Sequence, residues 1–343
     1  MRRAILYGVL FAAVAITLVA TRTWWLPPKP LEVVVSEQSP YWLPFYLARE
    51  EGYFRREGLD VRVVVAASRE DLVTALNKEP VVALAEPDVL LTSPSPPVMF
   101  ARVARLDPTF LLGREQKDQP FRWSDLQGRT IVGYPPGSEE QAVLETVLKK
   151  EGVRAQYEVT VLENIPSVLR VPAFVAGTGR YLQAAEPAAA LLERQQQGKV
   201  LAFPGAVAGD LPAGVFLASP AMVRDHPREL AAFTRAVYRS LLWLQHNQAA
   251  TATSDAAKYL PGVDPAVVAA ALARYQAAKV WSDSPVISQD SYQNWVRMMV
   301  EAGELARPAP FDQVVDPAPA QQAVQKVHYG PSYKHWIWPV LNS

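Results

Sequence analysis

Cysteine is absent from all 343 residues. That absence excludes disulfides, thiolate metal sites, iron–sulfur clusters, a thiol nucleophile and a lipid anchor on cysteine. Histidine is scarce: His226, His246, His328 and His335 form no H-E-x-x-H or other close metal pair and read as surface or tail residues. No metal and no cofactor is expected. Runs of Lys or Arg are missing, and basic and acidic residues balance at 34 each, so nucleic acid is not an expected partner. G-x-S-x-G and G-x-x-x-x-G-K-[ST] do not occur, which removes the serine hydrolase elbow and the P-loop. Gly177-Thr178-Gly179 lacks the third glycine of a dinucleotide fingerprint and reads as a turn. The acidic pairs Glu50-Glu51 and Glu139-Glu140 fall at the ends of predicted helices, where solvation and the helix dipole account for them. No catalytic residue is expected.

What the chain does have is a globular composition, with 50% hydrophobic and 20% charged residues. At roughly 150 residues per domain, the length suits two compact lobes. The one long hydrophobic run, Ala4 to Ala20, follows Arg2-Arg3 and precedes Arg22 and Trp24-Trp25. It reads as a signal peptide or a membrane anchor. Its end, Leu18-Val19-Ala20-Thr21, departs from the small-residue exit of a cleaved signal, while its length suits a ~30 Å hydrocarbon core. Arg2 and Arg3 hold that end in the cytoplasm, so the chain beyond Pro30 is expected outside. With Arg2, Arg3, Arg22 and Lys29 removed, 30 bases face 34 acids, a mildly acidic −4.

After the spacer Pro27-Pro28-Lys29-Pro30, strands alternate with helices. Strands are expected over 31–36, 59–66 and 81–86, with helices over 42–51 and 69–78. The pattern restarts with a strand at 130–133, a turn at Tyr134-Pro135-Pro136-Gly137 and a helix over 138–151. Strands at 158–162 and 200–203 follow, and after residue 218 long helices dominate, at 227–246, 265–279 and 288–302. Such alternation predicts parallel sheets with helices on both faces. Ligands of open α/β sheets lie outside the carboxyl ends of the strands, so the loops after each strand are the candidate site. Tyr41 and Trp42 would stack on a flat ligand beside a hydrogen bond from Ser39. Glu86 would accept from a ligand amine or amide. Gly137-Ser138 opens a helix whose free N–H groups suit an anion or carbonyl, and Glu186 stands at a helix start before Pro187.

The segment Tyr46-Leu47-Ala48-Arg49-Glu50-Glu51-Gly52-Tyr53-Phe54-Arg55-Arg56-Glu57-Gly58-Leu59-Asp60-Val61 resembles the hallmark of the nitrate/sulfonate/taurine-type ABC substrate-binding proteins. That family also holds binders of a thiamine pyrimidine precursor. Asp125-Leu126-Gln127-Gly128-Arg129-Thr130 resembles its entry into lobe two, and Glu186-Pro187 its E-P helix start. Leu217-Ala218-Ser219, His226-Pro227, Arg274-Tyr275, Trp281 and Pro285-Val286-Ile287-Ser288 resemble its return to lobe one and its C-terminal helices. The resemblance implies a two-lobed type II periplasmic-binding-protein fold of α/β class, with a ligand cleft between the lobes.

It divides the chain into a leader and spacer at 1–30, lobe one at 31–115, lobe two at 116–214, a return to lobe one at 215–325, and an aromatic tail at 326–343. The implied function is the extracytoplasmic solute-binding component of an ABC importer. Its ligand is a small sulfonate, nitrate or pyrimidine-like solute, its partners are a permease and an ATPase, and it meets the membrane through the N-terminal segment. Two other readings stay open: a pyrimidine-precursor-synthesising enzyme on the same fold, whose cysteine-rich motif this chain lacks, and an extracytoplasmic sensor. Arg180 replaces an acid common in relatives and would alter ligand charge preference if it lined the cleft. The tail, with Tyr329, Tyr333, Trp336 and Trp338, either packs on a lobe or meets a membrane or permease.

Overall fold

The computed structural model describes residues 27–330, except 79, 94 and 115–119. Two five-stranded sheets form two lobes. The first holds β1 (Lys29–Val35), β2 (Leu59–Val65), β3 (Val82–Ala85), β4 (Val98–Ala104) and β10 (Gly214–Ala218), in the order β2-β1-β3-β10-β4. The second holds β5 (Phe110–Gly113), β6 (Arg129–Val132), β7 (Val159–Leu162), β8 (Tyr181–Ala184) and β9 (Lys199–Ala202), in the order β7-β6-β8-β5-β9. Every residue of β3, β5, β8 and β10 is buried, as expected of central strands covered on both faces.

The sheets are mixed rather than all parallel. β1 runs parallel to β2 and β3, and β6 parallel to β7 and β8. β10 is antiparallel to β3 and β4, and β5 is antiparallel to β8 and β9. The cause is the route of the chain. β4 ends at the carboxyl edge of sheet one and the chain crosses directly into lobe two, so β5 enters that sheet from its carboxyl edge and runs against its neighbours. β10 does the same on the way back. Strand β5 therefore places the first crossing between Ala104 and Phe110, earlier than the expected boundary at 115/116. The four residues of β5 read in the sequence as the end of lobe one because the visible restart is at β6.

The two crossings are tied to each other. Leu211 N donates to Arg105 O at 2.9 Å, Arg105 N donates to Val280 O at 2.9 Å, and Arg102 meets Asp210 at 2.8 Å. These bonds hold the two connecting segments side by side.

Helices cover both sheets: α1 (Leu43–Glu50), α2 (Arg69–Lys78), α3 (Glu139–Lys150), α4 (Ser167–Val175), α5 (Ala188–Arg194), α6 (Pro227–His246), α7 (Pro265–Ala277), α8 (Gln289–Glu301) and α9 (Ala318–Lys326). α3 shows why its sequence folds so. Ser138 caps it by accepting from Gln141 N at 3.2 Å, and Lys149 and Lys150 fill its last turn, where they favour the helix dipole. In lobe one, Phe216 and Phe233 meet edge to face at 4.7 Å, with Phe45 and Phe54 packed around them.

The hydrophobic segment Ala4 to Ala20 lies outside the described residues, as do Tyr333, Trp336 and Trp338 of the tail. Among the described residues, no helix is long and apolar enough to cross a membrane. The described start of the tail lies on lobe one, with the Tyr329 ring stacked on His246 at 3.9 Å.

Candidate functional site

The carboxyl edges of the two sheets meet at the crossing. Lobe one contributes Ser36 and Glu37 after β1 and Glu86 after β3, and lobe two contributes Tyr134, Ser138, Glu139 and Glu140 after β6. Gln183 and Glu186 come from the end of β8, and Asp107 and Thr109 from the first crossing. Gln183 ties these parts together: its amide donates to Thr109 Oγ1 at 2.9 Å and to Glu140 O at 2.8 Å. Thr109 in turn is held on Asp107 Oδ1 through its hydroxyl and, at 2.9 Å, its backbone N–H.

Of the residues expected from the sequence, Glu86 stands at this edge, directly after β3. It is half-buried and accepts from Ser36 Oγ at 3.4 Å. Ser39 is buried and caps a short turn by accepting from Tyr41 N at 3.3 Å. Tyr41 and Trp42 belong to the core beneath the crossing, 1% and 0% exposed, and present no open face for stacking. Tyr41 donates to Leu106 O at 3.3 Å, and Trp281 Nε1 donates to Tyr41 O at 2.8 Å. Gly214 is demanded here, since a Cβ would stand 2.9 Å from the Trp42 ring.

Gly137 adopts φ +84°, the left-handed turn that glycine favours, and so turns the chain into the cap of α3. The Ser138 hydroxyl donates to Pro135 O at 2.8 Å while it caps α3, so local bonds already use both of its roles. Glu186 is answered on both oxygens, by Arg274 at 2.6 Å and by Ala190 N at 2.9 Å, and its backbone N–H donates to Tyr275 Oη at 2.9 Å. Arg180 stands at the amino end of β8, the opposite end from Glu186, lining a lobe-two pocket with Arg114 and Lys199. It does not line the cleft.

Sequence reasoning missed the central groups. Glu139 was expected on a solvated face, yet it is completely buried and neither carboxyl oxygen has a hydrogen-bond partner. Asp107 Oδ2 and Gln183 Oε1 are likewise buried without partners. Burial pushes the Glu139 carboxyl well above its usual range, and Asp107, Asp88, Glu140 and Glu86 add to the effect. Burial raises Glu140 to about 8, with Asp107 and Asp88 contributing, and raises Asp107 to about 6 against the bonds from Thr109. Glu86 is held well above its usual range by burial, then by Glu140, Glu37 and Asp88. Glu37 keeps solvent contact, but the protein around its carboxyl raises it too, with Ser39 partly offsetting the effect. These influences run from one lobe to the other, Glu86 of lobe one acting on Glu139 of lobe two.

Two guanidinium groups stand nearby. Arg170, from α4, donates to Gly133 O at 2.7 Å and to Gln183 O, and lies 3.5 Å over the Tyr134 ring. Arg69, from α2, pairs with Asp88 at 2.9 Å, while its Nε and Nη2 have no partner. The one available signal for Arg170 was a lone charge inside the apolar run Ser167–Val175. Among the described residues, no group of three His, Asp or Glu could hold a metal ion.

Comparison with known proteins adds the following. The model of a family described as NMT1/THI5 like matches residues 39–251. YtlA of Bacillus subtilis (strain 168), which carries a provisional name as a binding protein, is 27% identical over 302 residues, 86% of this chain and 90% of that protein. The formylaminopyrimidine-binding protein of Halalkalibacterium halodurans is 29% identical over 216 residues, 59% of this chain and 62% of that protein. The alkanesulfonate-binding protein SsuA of Xanthomonas axonopodis pv. citri, solved with MOPS, superposes with a TM-score of 0.64 at 18% identity, covering 85% of this chain and 99% of its own. The nitrate-binding protein NrtA of Synechocystis PCC 6803 gives 0.66 at 15%, covering 89% and 90%. The desulfurization enzyme DSZB gives 0.66 at 16%, covering 87% and 99%. Binding proteins and an enzyme thus share this two-lobed architecture, and the fold alone does not choose between them.

Proposed function

The chain belongs to the NMT1/THI5-like family, and from that premise we propose that it is the extracytoplasmic solute-binding component of an ABC importer, closing its lobes on a small polar or heteroaromatic solute without catalysis. The observation that carries this reading is the set of buried, partnerless polar atoms where the two carboxyl edges meet: both oxygens of Glu139, Oδ2 of Asp107 and Oε1 of Gln183. Buried polar groups are nearly always paired, so a cluster of unpaired ones at a cleft is a place prepared for a ligand. In this reading Glu86 touches the solute, while Ser39, Tyr41, Trp42, Gly137, Ser138 and Glu186 hold the walls. The tied crossings at Arg105 and Leu211 let the lobes swing about one axis, and the closed state is what a permease, driven by its ATPase, would recognise. The N-terminal segment would keep the protein at the membrane.

A thermal-shift screen of the purified full-length chain against sulfonates, nitrate and aminopyrimidines tests the reading. At ~100 times Kd, a ligand adds about 2.7 kcal/mol, so a binder raises Tm. Turnover of a bound compound, followed by chromatography, would count against it.

A further inference from the structure

We propose that lobe two carries a second binding site, for a small oxyanion, at the edge of its sheet opposite the cleft. A cavity of about 160 Å³ opens there, walled by Arg114, Arg180 and Lys199 together with Phe121, Asp125 and Tyr181. The sheet sets the three cations side by side. Gly113 of β5 stands in register with Tyr181 of β8 on one side and with Lys199 of β9 on the other. Arg114 follows Gly113 and Arg180 precedes Tyr181, so three neighbouring strands each bring one positive charge to the same edge. Like charges on adjacent strands repel. The wall sets one acid against them, Asp125, whose carboxylate accepts from Arg122 N at 3.3 Å. β8 keeps this site apart from the cleft: Glu186 follows its carboxyl end and Arg180 precedes its amino end.

Arg114 is the group that the protein positions and leaves unanswered. Its Nε donates to Gly179 O at 2.9 Å and its Nη2 to Thr178 O at 3.2 Å, and the guanidinium lies 4.1 Å over the Phe174 ring. These contacts fix the group without neutralising it. Burial lowers its pKa from the ordinary value, and no acid offsets the effect. Lys199, at the exposed start of β9, likewise has no ion pair among the described residues. A guanidinium drawn partly out of water without a counter-ion costs free energy in the empty protein, and a bound anion recovers it through charge-assisted hydrogen bonds. Arg114 Nη1, which neither carbonyl uses, supplies the donors, and the neighbouring cations supply the field.

The test is calorimetric titration of the full-length chain at pH 7 with inorganic phosphate, sulfate and acetate, at one ionic strength set with chloride. At least one of them is expected to bind, once per chain. Arg114→Gln and Lys199→Glu should each weaken it at least tenfold. Because Arg114 also holds two backbone carbonyls, the exposed Lys199 is the cleaner variant: Lys199→Glu should leave the Tm of the empty protein unchanged, which separates lost affinity from lost fold. Binding that survives Lys199→Glu and disappears with Arg69→Gln would put the anion in the cleft and overturn the proposal. Silence from all three anions would also overturn it, and phosphate binding that then appeared in the double variant Glu115→Gln, Asp118→Asn would make the chain's own carboxylates the occupants.

Discussion

Glu139 and Glu186 are both buried glutamates beside a helix start at the carboxyl edge of the second sheet. They differ in whether the protein answers them. Glu186 has Arg274 on one oxygen and a backbone N–H on the other, so it clamps α5 to α7. Glu139 has neither, and the groups around it are mostly of its own sign. A buried carboxyl that is fully answered is scaffold. One left unanswered costs stability in the empty protein and is explained by something that comes to it.

The comparison breaks most visibly at the clamp. Arg274→Ala leaves Glu186 buried without its cation, and removing one partner of a buried pair costs about 3–5 kcal/mol. Denaturant unfolding is expected to show that loss; a change under 1 kcal/mol would show that Glu186 is not held as described.

The unanswered side is sharpened by pH. Glu140 rises from 4.5 to about 8 in the folded protein, so the folded state holds a proton that the unfolded chain releases. Its contribution is fully present below pH 4.5 and is lost as pH climbs through about 8. The empty protein should therefore melt several degrees lower at pH 8 than at pH 5, and scanning calorimetry reads this directly. Glu139→Gln removes a carboxyl whose charge the fold resists, so Tm should rise by ~3 °C at pH 8 and less at pH 5. A lower Tm at pH 8 would mean that Glu139 is answered after all.

The smallest effect is at the helix cap. Ser138→Ala should cost about 1 kcal/mol through α3, with solute affinity changed less than twofold. A larger loss of affinity than of stability would make Ser138 a contact to the solute rather than to the backbone.

Much of the fold was legible because local chemistry marks it. Arg69–Lys78 and Pro227–His246 fall where the sequence places them, the second with proline in its first turn, a position proline favours. The strands Val98–Ala104, Phe110–Gly113, Tyr181–Ala184 and Gly214–Ala218 were not legible, because runs buried on both faces show no alternation of apolar and polar residues, and with them went the crossing and Gln183.

The proposed site follows from place and not from residue. The rule that ligands gather at strand carboxyl ends pointed to the loops of the proposed cleft, and Glu86 stands on one of them. Tyr41 and Trp42 looked like stacking surfaces because nothing local reveals that Gly214 of β10, Leu106 of the first crossing and Trp281 cover them. Glu139 was misread for a physical reason: Ser-Glu-Glu at a helix start is locally favourable with water around it, and nothing local shows that the fold buries Glu139.

Isotope-edited infrared spectroscopy of the full-length chain with labelled glutamate tests the central claim most directly. The account predicts a protonated carboxyl band at pH 7 that Glu140→Gln diminishes and that changes when a ligand fills the cleft. Only ionised carboxylate bands at pH 7, unchanged by that substitution, would contradict it.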